Sequence, residues 1–347
     1  MADLAIEIGA HSVRAVARTQ TGIFNLVLSE SSEQFELPSV FAKEENGAIH
    51  IGFDADLWKY HAESYPIIEI EEREKLYTEV ITALFGHIIQ KAKEQVEETI
   101  NRITIIIPTH YGMNDPRRTF ISKALENNGI KNHCFVFNHQ ALCMAQACVE
   151  NNKCVLVYDM GHSGLSVSLL QRQNNDFEVL KAKRIVGLGG LFFDSLIYGD
   201  IMEKCNPSEI DDLQYRALLN NQLEIVSSYA KERLSNSDHY RCPIPFSSKQ
   251  YSITRKEFVE KIALSVGKSF AACQNMVSEA TVNATEVSEV LLWGGSCKIP
   301  FVSERCIMQF RQINPSMKIS DCTKVRNSVF LACKGGLSNN TSVTLIF

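Results

Sequence analysis

The sequence reads IEIGAHSV at residues 6–13 and YDMGHSGL at residues 158–165. Each stretch predicts a β-strand that ends in an acidic residue, a tight turn that contains glycine, and a second strand. For one such hairpin alone, the favoured interpretation is an ordinary polar turn without a function. The two hairpins, however, stand at matched positions in the two halves of the chain. A repeat of half the chain length indicates duplication of one βββαβα unit, and therefore two lobes that face each other across a cleft.

The two hairpins would form the walls of that cleft, and their composition is typical of a phosphate site. Glycine lets backbone N–H groups approach phosphate oxygens closely. The acidic residues Glu7 and Asp159 end the first strand of each hairpin. They are candidate positions for ordering a hydrated magnesium ion and a water molecule. The sequence therefore predicts a nucleotide cleft that contains these two carboxylates.

Composition narrows the class of protein. The chain has 347 residues, of which 45% are hydrophobic and 22% charged, as expected for a soluble globular protein with two lobes. The net charge of -5 gives no reason to expect nucleic-acid binding. We expect no membrane association, because there is no signal-peptide pattern and the apolar runs are too short to span a bilayer. The cytoplasm is the expected location, with the nucleus as the alternative.

Short apolar runs bounded by turn residues alternate with longer amphipathic stretches, which predicts an α/β fold. Strands are expected at residues 4–8, 13–17, 24–28, 103–107, 134–138, 154–160, 165–170, 177–184 and 289–293. Helices are expected at about 72–99, from Pro116, from Gln140, at about 190–204, 211–235 and 256–280, and after Pro300. The eleven cysteines include no CxxC pair, which favours buried thiols over a zinc site or a disulfide framework.

Taken in order, segments along nearly the whole chain resemble the heat-shock-70 (DnaK-type) family, within the wider actin and sugar-kinase superfamily. Residues 6–12 and 157–167 are similar to its two phosphate loops, 187–194 (GLGGLFFD) to a typical glycine motif, and 292–300 (LWGGSCKIP) to its adenosine motif. Further similar segments are 37–40, 105–108, 136–141, 230–235 and 253–258. The resemblance implies an actin-like ATPase fold, with ribonuclease-H-like duplication. Lobe I would cover 1–152, with a reduced upper subdomain, and lobe II would cover 153–347.

The resemblance also implies a set of ligand contacts. Nucleotide phosphates would lie against Gly9, Ala10, His11, Gly161, His162, Ser163, Gly189 and Gly190. Adenosine would lie against Lys231, Ser235, Gly294, Gly295, Ser296, Lys298 and Ile299. ATP or ADP is the expected ligand, accompanied by Mg²⁺ that no side chain coordinates directly.

Departures from the family pattern argue against normal ATP turnover. Glu7 replaces an aspartate, His139 replaces a glutamate, and Ser166 replaces a later aspartate. The family's lysine that helps to orient the attacking water belongs to a shortened region and has no counterpart. Because loss of one preorganised group often costs ~10²–10³ in rate, several losses together predict negligible hydrolysis. We expect the ring of His162 to fill phosphate space, the alternative being an imidazole that contacts phosphate.

We interpret the chain as a divergent nucleotide-binding domain that binds ATP or ADP weakly or not at all, with little hydrolysis, and acts as a chaperone or co-chaperone component through protein partners. The resemblance implies a J-domain co-chaperone, a nucleotide-exchange factor or a ribosome-associated factor as the partner. No substrate-binding domain is expected in the chain. An active ATP-hydrolysing chaperone domain, a small-molecule kinase on the same superfold and an actin-like filament protein are the alternatives. Histidines 11, 110, 139 and 162 fall in segments expected to face the cleft, where scattered polar histidines are favoured over a metal site.

Overall fold

A computed structural model describes residues 1–29, 34–57, 64–112, 114–205, 213–245, 248–280 and 286–338. The strands are β1 (Ala2–Ile8), β2 (Ser12–Arg18), β3 (Ile23–Asn25), β4 (Leu37–Pro38), β5 (Val40–Lys43), β6 (Ile49–Ile51), β7 (Ser64–Pro66), β8 (Ile100–Ile107), β9 (His133–Phe137), β10 (Cys154–Met160), β11 (Gly164–Gln173), β12 (Asp176–Val186), β13 (His239–Pro243), β14 (Gln250–Thr254), β15 (Val287–Trp293) and β16 (Lys318–Asp321). The helices are α1 (Gly52–Leu57), α2 (Glu74–Gln95), α3 (Pro116–Asn127), α4 (Asn138–Gln146), α5 (Gly190–Cys205), α6 (Leu213–Asn236), α7 (Arg255–Glu279), α8 (Pro300–Ile313) and α9 (Leu331–Ser338).

Two large sheets repeat one topology. Their strand orders are β3-β2-β1-β8-β9 and β12-β11-β10-β15-β16, and β4 adds a short strand beside β2 in the first sheet. In both sheets the first three strands along the chain (β1–β3 and β10–β12) form an antiparallel meander, and the last two are added in parallel beside its first strand. The duplicated α/β fold predicted from the two hairpins is therefore confirmed, in agreement with the actin-like ATPase fold that the resemblance implies.

The start of α3 shows how the local sequence positions an element. The side chain of Asp115 accepts a hydrogen bond of 3.0 Å from the Arg117 backbone N–H, and Pro116 occupies the first turn. Proline loses no hydrogen bond there, and the aspartate satisfies a donor that the helix itself leaves free. The helix start predicted at Pro116 is confirmed. The helix expected from Gln140 begins two residues earlier, at Asn138.

Other expectations need correction. The strand expected at 24–28 is only the three-residue β3, which ends at Asn25. The expected helix at 72–99 is shorter at both ends than predicted. The strands β4, β5, β6, β7, β13, β14 and β16 and the short helices α1 and α9 were not predicted. Two to five residues are too few to carry a periodic signal, and tertiary pairing decides such strands.

Three groups of buried apolar side chains form the core. One lies between the second sheet and α5–α8, one between the first sheet and α2–α3, and a third unites α4 and α9 with strands of both sheets. At this junction α4 and α9 cross closely, because an added Cβ at Gly335 would overlap the backbone of Ala141. Helix α9 also packs on β1, β2 and β8 of the first sheet. The junction therefore joins the two sheets at one side of the molecule.

Among the described helices, none has the length and the apolar character that crossing a bilayer requires.

Candidate functional site

A cavity of about 560 Å³ lies between the two halves of the chain, within the range typical of small-molecule sites. Its walls include the turns of both glycine hairpins. The expected contact residues that line it are Glu7, Gly9, Ala10, His11, Asp159, Gly161, His162, Ser163, Gly190, Lys231, Ser235, Gly294, Gly295, Ser296, Lys298 and Ile299. Gly189 lies behind the second hairpin, where an added Cβ would stand 2.7 Å from the carbonyl oxygen of Gly161. The structure thus brings the predicted phosphate contacts and the predicted adenosine contacts together around one cavity.

The first hairpin, β1–β2, is closed by a backbone bond of 3.1 Å from the Gly9 N–H to the Ser12 carbonyl oxygen. A Cβ at Gly9 would stand 2.8 Å from that oxygen, so the turn requires glycine. Beneath the turn lies the guanidinium of Arg14, which pairs directly with Glu7 across the two strands. Its Nη1 is 3.5 Å from Glu7 Oε2, and its Nε donates to Glu36 Oε1 at 2.5 Å. An ion cluster, in which Glu7 is buried and Glu36 is partly exposed, therefore supports the first hairpin.

Burial dominates the ionisation of Glu7. Removal from water raises the pKa of Glu7 to about 7, against the attraction of Arg14 and with a further contribution from the charge of Asp159. Burial favours the neutral form of a carboxyl group, and the nearby guanidinium favours the ionised form. Glu7 therefore holds its negative charge less readily than an exposed glutamate does.

The second hairpin, β10–β11, is closed by a bond of 3.0 Å from the Gly161 N–H to the Gly164 carbonyl oxygen. Its carboxylate, Asp159, contacts a histidine: Oδ2 lies 3.3 Å from Nε2 of His139. The other ring nitrogen, Nδ1, lies 2.7 Å from the hydroxyl oxygen of Ser168. An Nε2–H that donates to Asp159 leaves Nδ1 to accept from Ser168, so both nitrogens are satisfied.

The position of His139 differs from the expectation. The residue begins in a segment near the cleft, but its side chain is fully buried beneath the second hairpin. Helix α4 starts at Asn138, whose side chain accepts from the Thr109 backbone N–H at 2.9 Å, and this fixes the first turn of the helix. That turn directs the imidazole inward, where it supports Asp159 and is shielded from the cavity.

Two histidines from opposite lobes meet at the hairpin turns. The ring centroids of His11 and His162 are 5.1 Å apart, with the planes tilted by 46°. Burial lowers the pKa of His11, which favours its neutral form. The rings thus approach each other in the part of the cavity that the two glycine turns enclose.

A second contact between the lobes lies beside this pair. Arg184 of β12 donates from Nη1 to Nε2 of His110 at 3.0 Å, and from Nη2 to the hydroxyl of Ser163 at 2.9 Å. Burial, followed by the charge of Arg184, lowers the pKa of His110 to about 4. His110 is therefore a neutral acceptor near pH 7, and Arg184 connects the loop after β8 to the second hairpin.

The expected adenosine contacts are partly engaged within the protein. Lys231 of α6 lies 2.8 Å from the carboxylate of Asp194, and the hydroxyl of Ser296 donates to the Gly161 carbonyl oxygen at 2.9 Å. Gly294 has φ of +88°, and an added Cβ there would overlap the Asp159 carboxylate. These residues position the second hairpin, and the exposed Lys298 lines the cavity nearby.

Arg14, Glu36 and Arg184 were not among the residues predicted for the site. One signal for Arg14 is present in the sequence, because a hairpin closed at Gly9 places residue 14 opposite Glu7. No comparable signal exists for Glu36, which follows the β3 region and approaches Arg14 only in the folded chain.

Duplicated sheets around a cleft with paired glycine turns define the class of the actin-like ATPase fold. A sequence model described as "Hsp70 protein" matches residues 53–324. Because this match covers more than half of the chain, the chain belongs to the Hsp70 family.

Individual relatives agree with this assignment at low identity. The chain is 25% identical over 241 residues to "Chaperone protein HscA homolog" of Actinobacillus pleuropneumoniae serotype 5b (strain L20), which covers 69% of this chain and 38% of that protein. It is 28% identical over 236 residues to "Chaperone protein HscA" of Buchnera aphidicola subsp. Baizongia pistaciae (strain Bp), covering 66% and 44%. It is 27% identical over 270 residues to the protein of that name in Enterobacter sp. (strain 638), covering 78% and 40%. The matched parts thus span about two fifths of these relatives.

Domains of the Hsp70 family bind ATP or ADP together with Mg²⁺, and in this cleft the two carboxylates that could order a hydrated magnesium ion both have a side-chain neighbour of their own. The Glu7 carboxylate faces Arg14, the Asp159 carboxylate contacts His139, and Ser166 offers only a hydroxyl group. Within the described ranges, no group of three or more His, Cys, Asp or Glu side chains is arranged to hold a metal. Because Mg²⁺ usually keeps several waters and is bound through one or two carboxylates and the substrate phosphates, Glu7 and Asp159 are the residues that would order it, with a weaker electrostatic hold than two free carboxylates would give.

Proposed function

We propose that this chain is a divergent Hsp70-type nucleotide-binding domain that binds ATP or ADP weakly, hydrolyses it little or not at all, and works as a chaperone component through protein partners. One observation carries the proposal. The two carboxylates at the second-to-last positions of β1 and β10 are each engaged by a side chain of the protein, Glu7 by Arg14 and Asp159 by His139.

These contacts of Glu7 and Asp159 disfavour ATP hydrolysis. Phosphoryl transfer to water requires a positioned water molecule, and positive charge must stabilise the transferring group. A carboxylate that already accepts from a buried imidazole is less available to orient water, and Ser166 supplies no second carboxylate. Loss of single groups of this kind often costs ~10²–10³ in rate, so the combined loss leaves negligible turnover.

The shape and size of the cavity support nucleotide binding. Its walls combine two hairpin turns with the glycine motif at 294–295 and the exposed Lys298, and it is large enough for a nucleotide. The His11 and His162 rings at the turns reduce the space for phosphates, which is the reason for weak affinity. A small-molecule kinase would need a free base carboxylate beside the transferred phosphate, and the pairing of Glu7 and Asp159 argues against that alternative.

For the partner we propose a J-domain co-chaperone, a nucleotide-exchange factor or a ribosome-associated factor, in a cytosolic setting. We also propose residues 1–152 and 153–347 as the two lobes. Weak nucleotide affinity with little hydrolysis suits a domain whose output is a protein contact.

Steady-state ATP hydrolysis by the purified 347-residue chain tests the proposal. We expect phosphate release no faster than in buffer, for the wild type and for Asp159→Ala alike. Asp238→Ala is the matched control, because Asp238 pairs with Arg255 at 3.1 Å on an exposed surface outside the cavity. Steady turnover that disappears in Asp159→Ala and persists in Asp238→Ala would show a catalytic site and contradict the proposal.

A further inference from the structure

We propose that Arg184 of β12 contacts the terminal phosphate of a bound nucleoside triphosphate, so that this chain binds ATP in preference to ADP. The inference rests on the proposed function, since it names the residue through which the same cleft would distinguish its two ligands. Neither the hairpin turn at 158–165 nor the glycine motif at 187–194 contains Arg184. The residue therefore adds a contact to those that the motifs of the sequence predict.

The guanidinium of Arg184 lines the cavity and is held by neutral groups. Nη1 donates to Nε2 of His110 at 3.0 Å, and Nη2 donates to the hydroxyl of Ser163 at 2.9 Å. Burial, followed by the charge of Arg184, lowers the pKa of His110 to about 4, so this imidazole is uncharged near pH 7. The two acceptors therefore fix the orientation of the guanidinium without cancelling its charge.

Two other cations of the cavity wall are paired with carboxylates. Arg14 lies 3.5 Å from Glu7, and Lys231 lies 2.8 Å from Asp194. Among the carboxylates that the structure describes, none lies within the 4.0 Å that an ion pair with Arg184 would require. Because arginine stays charged at every physiological pH, Arg184 offers its positive charge to an anionic ligand.

A row of cross-strand neighbours leads along the cavity wall from the adenosine motif to Arg184. The row takes one residue from each of β15, β10, β11 and β12, in the order Trp293, Asp159, Ser166 and Arg184. All four line the cavity, and because adjacent strands are about 4.8 Å apart, the row spans roughly 14 Å. Since the expected adenosine contacts at 294–299 directly follow Trp293, the phosphates of a bound nucleotide would extend along this row toward Arg184.

The guanidinium suits a phosphate better than it suits its present acceptors. Arginine presents more donors than the bonds to His110 and Ser163 use, and its pairs with phosphate are frequently bidentate. A terminal phosphate at this end of the row would also carry the opposite charge, which neither acceptor does. A diphosphate ends one phosphate group earlier along the row, so it would leave Arg184 with its present partners.

Calorimetric titration of the full chain in excess Mg²⁺, once with ADP and once with the β,γ-imido analogue of ATP, tests the inference directly. The analogue keeps the result independent of hydrolysis. For the wild type we expect a dissociation constant about 10-fold lower for the analogue than for ADP. For Arg184→Gln we expect the two constants to agree within about threefold, with the ADP constant within about twofold of that of the wild type.

Three outcomes would contradict this expectation. Equal affinity of the wild type for both ligands would overturn the inference and leave the proposed function standing. An equal loss of affinity for both ligands in Arg184→Gln would show that Arg184 only supports the second hairpin through Ser163, and the inference would again be wrong. No heat of binding with either ligand in the wild type would overturn both the inference and the nucleotide part of the proposed function.

Two further variants assign the preference to this side chain. Arg184→Lys keeps the charge without the planar fork and should retain a preference of about threefold for the analogue. Lys181→Gln is the matched control, because Lys181 lies on the same strand and pairs with Glu279 at 2.6 Å, outside the cavity. It should keep the wild-type ratio, and its loss there would contradict the role of Arg184. Circular dichroism checks the folding of each variant, and the wild-type comparison of two ligands depends on no variant.

Discussion

The two glycine hairpins share one backbone and differ in what supports their carboxylates. In each, the N–H of the glycine after the first strand bonds the carbonyl oxygen three residues later, at 3.1 Å for Gly9 and 3.0 Å for Gly161. Opposite the carboxylate stands Arg14 in the first hairpin and Ser166 in the second. The first carboxylate is therefore engaged across its own hairpin, and the second by His139, which helix α4 supplies.

The difference shows which parts of a duplicated fold are constrained. Main-chain hydrogen bonds at the turn dictate the hairpin geometry, so both halves keep it. The side chains beneath the turns are constrained only by local packing and charge balance, and they differ between the two halves of the chain. The hairpin backbone is thus common to both halves, while the side chains around the two carboxylates differ.

The largest expected effect concerns Glu7, the buried carboxyl group of the first hairpin, whose counterpart in the second hairpin is Asp159. Burial raises the pKa of Glu7 from 4.5 to about 7 on folding. Between these pH values the folded chain keeps a proton that the unfolded chain releases, so this carboxyl makes the protein less stable as pH rises through the window. The wild type should lose on the order of 3 kcal/mol of unfolding free energy relative to Glu7→Gln across that window.

Denaturant unfolding at pH 4.5 and pH 8 measures this difference. His110, whose pKa burial lowers to about 4, changes stability in the opposite sense between pH 4 and 6.5. Since both proteins contain it, its effect cancels in the comparison. Replacement of the exposed Glu45 by glutamine is the control and should leave the pH dependence unchanged. Parallel stability curves for the wild type and Glu7→Gln would contradict the prediction.

The second-largest expected effect concerns the first residue of the second strand, which is serine in one hairpin and glycine in the other. Ser12 opens β2, where only the two-residue β4 lies alongside, whereas Gly164 opens β11 beside the long strand β12. An added Cβ at Gly164 would stand 2.5 Å from the carbonyl oxygen of Ile185. We expect Gly164→Ser, which copies the first hairpin onto the second, to cost about 2 kcal/mol through backbone displacement.

Thermal unfolding of Gly164→Ser beside Gly161→Ala checks this expectation. The nearest atom to a Cβ at Gly161 would be 3.7 Å away, an ordinary contact distance, so the cost there should stay below about 0.5 kcal/mol. Equal melting temperatures for the two variants would show that β12 yields at Gly164, and the steric account would be wrong.

The smallest expected effect concerns the histidines that the two turns contribute. His162 lies 5.1 Å from His11, ring to ring, in the space where phosphates would lie. We expect His162→Gly to strengthen ATP binding roughly fivefold, about 1 kcal/mol, because the ring no longer excludes phosphate. Titration calorimetry of the wild type and the variant gives the two dissociation constants.

His11→Gly and the double variant sharpen this test. If the two rings exclude phosphate together, each single change should strengthen binding and the effects should not be additive. Weaker binding in His162→Gly would mean that the imidazole contacts phosphate, and affinity should then fall as pH rises. Unchanged affinity, with clear binding in every variant, would show that this turn does not touch the ligand.

By itself the sequence determined the fold and the family. The hairpins at 6–13 and 158–165 repeat at matched positions, and a glycine turn between two apolar strands is a local signal that needs no tertiary information. The start of α3 was likewise predictable, because Asp115 and Pro116 act within one turn. Clustering of most expected contact residues around one cavity follows from the duplicated topology and not from any single motif.

Only the tertiary structure decided how Asp159 is engaged and which carboxylate, Glu36, joins Arg14 beside Glu7. Glu36 reaches Arg14 across 22 residues, and His139 reaches Asp159 across 20, by way of helix α4. The approach of His11 to His162 depends on how two separate sheets are set against each other at α4 and α9. Such contacts join side chains through the packing of whole elements, and no local pattern of residues encodes that packing. The sequence could therefore place the cleft, while the balance of charge within it depended on the folded chain.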